Sequence, residues 1–181
     1  AAVPASTTIN VLGGTYTGNI RIMAGATLTG AGTVIGNVTN EGTVVGENGE
    51  TLALQGVTHN LGTMRLTGGS ILDLEGSFTN DGVLDVITGT VNPSATFVNN
   101  GVLLDSSSIR IESLVKSGTS VHLGIRSVAG HAYRMERSGS LTSGTWHAVG
   151  ADQEGNGDIL TFTDNGGATG SSGFYRIAVI R

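Results

Sequence analysis

The tripeptide Asn-x-Gly occurs at Asn40-Glu41-Gly42, Asn60-Leu61-Gly62, Asn80-Asp81-Gly82 and Asn99-Asn100-Gly101, at intervals of 20, 20 and 19 residues. Each glycine leads into a short stretch that alternates in polarity: Thr43-Val44-Val45, Thr63-Met64-Arg65-Leu66, Val83-Leu84-Asp85-Val86 and Val102-Leu103-Leu104. Val44, Met64, Leu84 and Leu103 share one phase, two residues past the glycine. Leu52 and Leu54 recur as Leu72 and Leu74, and the position two before the asparagine holds Val38, Thr58, Phe78 and Phe97. Alternation with period two inside a repeat near twenty describes strands, because successive side chains of a strand point to opposite faces.

A single twenty-residue turn cannot bury its own apolar face, so neighbouring turns must stack and supply the core to each other. The pattern predicts an all-β fold: a right-handed parallel β-helix of about five turns over residues 1–115. Turns rise by about 4.8 Å each, like residue above like. The asparagines are expected to form a ladder at one corner, and the glycines to allow that corner through positive φ. Residues 1–12 form an extended N-terminal segment, suited to cap the first turn or to add as a strand to a neighbouring subunit. The stretch Gly25–Val34 breaks the period and is expected to form irregular turns.

Composition excludes several classes. The 181 residues include 30 glycines, two prolines, no cysteine and one lysine, Lys116. Charged residues make up 13%, against about 25% in ordinary globular domains. A net charge of −5 with scattered arginines argues against a nucleic-acid surface, which needs a basic face. No apolar run reaches the roughly 20 residues of a membrane-spanning helix. Without cysteine there are no disulfides, thiol nucleophiles or zinc–thiolate sites. The opening Ala1-Ala2-Val3-Pro4-Ala5 reads as a mature N-terminus left by signal-peptide cleavage, which predicts an extracellular or cell-surface protein.

After Ser106-Ser107-Ser108 the period fails. Ser113–Thr119 reads as a connector. Strand candidates follow at Val121–Val128, Ala132–Arg137, Trp146–Gly150, Ile159–Thr163 and Phe174–Ile180. Their spacing predicts a small antiparallel β-sandwich over residues 120–181. Tyr133, Trp146, Phe162, Phe174 and Tyr175 fall here, as the large core a sandwich of this size needs or as a platform for sugar rings.

The run Gly25-Ala26-Thr27-Leu28-Thr29-Gly30-Ala31-Gly32-Thr33-Val34, with Gly36–Val44, resembles the passenger repeats of bacterial autotransporters. That resemblance covers roughly residues 10–105 and implies a secreted parallel β-helix used as a stalk or adhesin. Tyr133-Arg134-Met135-Glu136-Arg137-Ser138, Leu141-Thr142-Ser143-Gly144-Thr145-Trp146 and Phe174-Tyr175-Arg176 resemble a small terminal β-domain of secreted bacterial surface proteins. Met135 stands where that domain often has leucine. This second likeness implies export and display.

Chemistry is sparse, and no catalytic residue is assigned. Asp73 and Glu75, at i and i+2 on one strand face, are the most enzyme-like pair, yet a solvated strand face carries such pairs routinely. Arg65 and Asp85 occupy equivalent outward positions on successive turns and are expected to pair at the surface. His59, His122, His131 and His147 show no metal-ligand spacing. Asp152-Gln153-Glu154-Gly155-Asn156-Gly157-Asp158 places oxygens of Asp152, Glu154, Asn156 and Asp158 at positions 1, 3, 5 and 7 of a Ca²⁺-loop pattern, with Gly157 at 6. Thr163 stands at position 12, where that pattern wants a bidentate glutamate.

These readings lead to a secreted structural subunit that assembles head to tail with itself into an extracellular fibre or sheath, through solenoid ends or the N-terminal strand. The alternative is a monomeric surface module that binds a polysaccharide through an exposed aromatic such as Tyr16.

Overall fold

A computed structural model describes residues 1–93, 96–142, 144–170 and 172–180. The chain divides into two compact units, Ala1–Ser106 and Ser107–Arg181.

The first unit is a parallel β-solenoid. Its coils are β1 (Ala2–Val3), β2 (Thr8–Asn10) and β3 (Thr15–Thr17); β4 (Ile20–Ile22), β5 (Thr27–Thr29) and β6 (Gly32–Ile35); β7 (Val38–Asn40), β8 (Thr43–Gly46) and β9 (Thr51–Gln55); β10 (Thr58–Asn60), β11 (Thr63–Leu66) and β12 (Ile71–Leu74); and β13 (Phe78–Asn80), β14 (Val83–Asp85) and β15 (Thr90–Asn92). A last partial coil contributes β16 (Phe97–Asn99) and β17 (Val102–Leu104). The first sheet runs β1-β4-β7-β10-β13-β16, the second β2-β5-β8-β11-β14-β17, and the third β3-β6-β9-β12-β15.

Register follows the repeat. Asn40, Asn60, Asn80 and Asn99 are successive partners, as are Val44, Met64, Leu84 and Leu103, and Leu52 and Leu72. The core is what the inward phase supplies: Leu28, Val44, Met64, Leu84, Leu52, Leu72, Leu54, Leu74 and Phe78 are all buried. Phe78 and Phe97, registered partners in the first sheet, stack with ring centroids 5.1 Å apart.

Three expectations change at this level. The corner glycines Gly42, Gly62, Gly82 and Gly101 are not among the residues with positive φ. They are glycine because turns approach too closely for a side chain. A Cβ on Gly62 would lie 2.2 Å from the Gly42 carbonyl oxygen, and one on Gly82 2.1 Å from that of Gly62.

The stretch Gly25–Val34 is not irregular either. It supplies β5 and β6, with Leu28 registered on Val44 and Val34 on Leu54. Two residues separate Thr29 from Gly32, whereas six separate their partners Val45 and Leu52. The loop Glu47–Glu50 is therefore an insertion that the preceding coil lacks, and the interval changes while the strands keep register.

Finally, the boundary falls at Ser106/Ser107 rather than at 115. The stretch read as a connector lies largely within β18 (Arg110–Ser117), which forms an antiparallel hairpin with β19 (Ser120–Arg126) and so belongs to the second unit.

That unit continues with β20 (Ala132–Ser138), β21 (His147–Ala148), β22 (Gln153–Glu154), β23 (Ile159–Asp164) and β24 (Phe174–Val179). One antiparallel sheet is β18-β19-β23; in the other, β20 pairs with β21, β22 and β24. Leu123 and Ile125 from the first sheet share a core with Tyr133 and Met135 from the second, and Phe162 completes it. No α-helix occurs among the described residues, and none is long and apolar enough to cross a membrane.

Candidate functional site

The solenoid's most regular chemistry is a line of amides along one corner. The Asn40 side-chain Nδ2 donates to Asn60 Oδ1 at 2.7 Å, Asn60 to Asn80 at 2.6 Å, and Asn80 to Asn99 at 2.6 Å. Each Nδ2 makes a second bond, to the carbonyl of Thr63, Val83 or Val102, at the start of a second-sheet strand in the following coil. The main-chain carbonyls of Asn40, Asn60 and Asn80 each accept two N–H groups from the corner of the next coil. Asn40, Asn60 and Asn80 are fully buried, and these bonds meet the hydrogen-bonding demand that burial creates.

A second glycine column, Gly36, Gly56 and Gly76, stacks as tightly as the first, with a Cβ on Gly76 meeting the Gly56 carbonyl oxygen. Its spacing of 20 was available in the sequence beside the asparagines. At the adjoining position, Asn19 Oδ1 accepts the Asn37 N–H and Asn37 Oδ1 accepts the Val57 N–H.

Charged side chains on the solenoid pair from coil to coil. Arg21 donates to Glu41, Gln55 to Glu75, and His59 lies against Asp81, which also accepts from Asn100. The bonds from His59 and Asn100 hold the Asp81 carboxyl below its ordinary value. Glu75 is thus engaged by Gln55, one coil back, while its sequence neighbour Asp73 is registered between Ala53 and Asn92.

The Arg65–Asp85 pair forms, with Nε donating to Oδ2 at 3.1 Å, but it is no surface pair. The Asp85 side chain is fully buried, and Ile87 N–H, in the corner after β14, donates to its other oxygen.

The solenoid's two ends differ from its middle. At the first coil an apolar hollow of about 320 Å³ is lined by Val3, Ile9, Val11, Tyr16, Ile20 and Leu28. At the last coil a second, of about 420 Å³, is lined by Leu84, Val86, Val91, Phe97 and Leu103 together with Pro93 and Asp105. β1, β2 and β3 stand at one end of the three sheets and β16, β17 and β15 at the other. The N-terminal segment is built into the first coil: β1 pairs with β4 and β2 with β5, both in parallel.

In the second unit the residues of the calcium-loop pattern make bonds of their own. Asp152 accepts two bonds from Arg134, at 2.7 and 2.8 Å, and this pairing raises the arginine's pKa. Glu154 belongs to β22, paired with Ala132. Asn156 Oδ1 accepts the Asp158 N–H and the Ser127 hydroxyl. No group of three or more His, Asp or Glu side chains suited to a metal occurs among the described residues.

Of the second unit's five aromatics, Tyr133 and Phe162 are core residues, while Trp146, Phe174 and Tyr175 are half-buried. Arg176 lies over the Trp146 ring at 4.5 Å, and Tyr175 donates to Asp164 at 2.9 Å. Burial, followed by that bond, raises the Tyr175 phenol above its ordinary value. Tyr16 is half-buried and lines the first-coil hollow.

Compared with protein families, curated proteins and solved structures, the chain matches none. What defines it is its own architecture: a β-solenoid stitched by an asparagine ladder, and an antiparallel β-unit.

Proposed function

We propose that the protein is an extracellular structural subunit whose solenoids associate end to end into a fibre. The observation that carries this reading is the pair of solenoid ends, each with terminal strands of parallel sheets and an apolar hollow. Terminal strand edges are templates for further pairing unless charge, proline or a covering element blocks them. The terminal strands β1, β2, β16 and β17 contain neither charge nor proline, and Pro93 and Asp105 at the last coil lie just past the ends of β15 and β17. A contact between unlike ends of identical subunits does not close on itself, so it propagates as a filament. With no cysteine in the chain, cohesion comes from stacked backbone bonds and apolar columns.

Electron microscopy of the purified protein across a concentration series tests the reading. Filaments that lengthen with concentration are expected. Monodisperse single particles at high concentration would overturn it in favour of a monomeric adhesion or glycan-binding module.

A further inference from the structure

We infer that the joint between two copies continues the solenoid's own register, with β1 and β2 of one copy stacked in parallel on β16 and β17 of the next. This rests on the fibre reading and adds to it the segments and the alignment. In the second sheet each coil places like on like, through Ile9, Leu28, Val44, Met64, Leu84 and Leu103. The four inner members of that column are at most 1% exposed, while Ile9 is 41% and Leu103 40% exposed. Extending the same register sets Ile9 of one copy on Leu103 of the other, with Thr8 on Val102 and Asn10 on Leu104. Both half-exposed side chains are then removed from water, which is the main driving force for association.

Val3 holds the asparagine position of the first coil, so the amide-to-amide ladder ends at Asn99, but the second bond of each rung points the same way. Asn40, Asn60 and Asn80 each give an Nδ2 proton to the first residue of a second-sheet strand in the next coil. Asn99 is exposed, and among the described residues β16 is the last strand of its sheet. Thr8 is the first residue of β2 and occupies the position of Thr27, Thr43 and Thr63. In the extended register the Thr8 carbonyl of the next copy becomes the acceptor for Asn99.

A second copy is the occupant because it brings two parallel edges with this inward phase, and its longer corner between Val3 and Thr8 would stack on Asn99–Val102 as the Ile22–Thr27 corner stacks on Asn40–Thr43. The third sheet ends one coil earlier, at β15, so the joint is carried by the first two sheets.

The chain has no cysteine, so introduced thiols report the alignment directly. Thr8→Cys and Val102→Cys lie on the outward phase and leave the apolar columns intact. Strands directly opposed across a sheet lie about 4.8 Å apart, within the Cα range of a disulfide. A shift of two residues adds about 6.6 Å along the strand. Equimolar mixing of T8C with V102C under mild oxidation is expected to yield at least tenfold more linked heterodimer than T8C mixed with Leu104→Cys. Filaments that form while T8C links equally well or better to L104C, or mainly to another T8C subunit, overturn this register and leave the fibre reading standing. Absence of both filaments and cross-links overturns both. Ile9→Asp gives an independent check: a subunit with unchanged circular dichroism that no longer forms filaments is expected, and unimpaired assembly counts against the joint.

Discussion

At the residue scale, proximity rather than backbone conformation explains the glycines that mark the repeat. A Cβ at Gly82 would meet the carbonyl oxygen of Gly62 at 2.1 Å, a backbone atom fixed by the coil before it. Gly82→Ala is therefore expected to cost about 3 kcal/mol, at the upper end of overpacking effects. Gly139→Ala, with open space around it and no positive φ, should fall within about 0.5 kcal/mol of the parent. Chemical denaturation of the two variants checks the contrast. The outer face makes a different prediction. His59 and Asn100 bond to Asp81 and lower its pKa from 3.8. A carboxyl whose folded pKa is depressed contributes stability that is complete above the unfolded value and is lost as pH falls through the folded one. The Asp81 titration midpoint, followed by NMR, should lie below 3.8, and His59→Ala should move it upward.

At the element scale, strands hold register while corners change length. Six residues connect Val45 to Leu52, yet two connect their partners Thr29 and Gly32. Deleting Glu47–Glu50 joins Gly46 to Thr51 as Gly30 joins Ala31. The solenoid should survive this with a loss of at most about 2 kcal/mol, since shortening an exposed loop has little effect on closure entropy. Deleting Thr51–Leu54 removes Leu52 and Leu54 from the core and should abolish the cooperative transition; thermal melts by circular dichroism separate the two outcomes. The same corners explain what the sequence made legible. Columns such as Val44–Met64–Leu84–Leu103 could be read because coils three to five have nearly equal lengths. The second coil could not, because it lacks the inserted corner loop and Ile22 stands where later coils have asparagine. β18 was missed for a related reason: a bulge between Ile111 and Ser113 interrupts its alternation. The pairing of Arg65 with Asp85 was legible, since both recur at one phase, but the burial of Asp85 was not. Nothing in a strand's period reveals that Ile87 N–H will donate to its carboxylate. The calcium-loop spacing likewise could not show that Arg134 holds Asp152.

At the scale of the whole solenoid, stability is a sum of contacts between neighbouring coils, so a side chain's worth depends on how many coils flank it. Leu72 lies between Leu52 and Val91 and is fully buried. Leu103 has Leu84 on one side and no strand of its own sheet on the other. Leu72→Ala should cost about 3 kcal/mol, as core leucine truncations do when their surroundings cannot collapse. Leu103→Ala should cost under about 1 kcal/mol in dilute protein, because 40% of the residue is already in water. If copies stack, the joint gives Leu103 a second neighbour and the missing methyl groups count twice. The thermal midpoint of L103A, measured against the parent over a range of concentrations, should then fall further behind as filaments form, while the deficit of L72A stays constant. A gap that ignores concentration for both variants would leave the end coils as terminal caps and remove the basis for a continuous column.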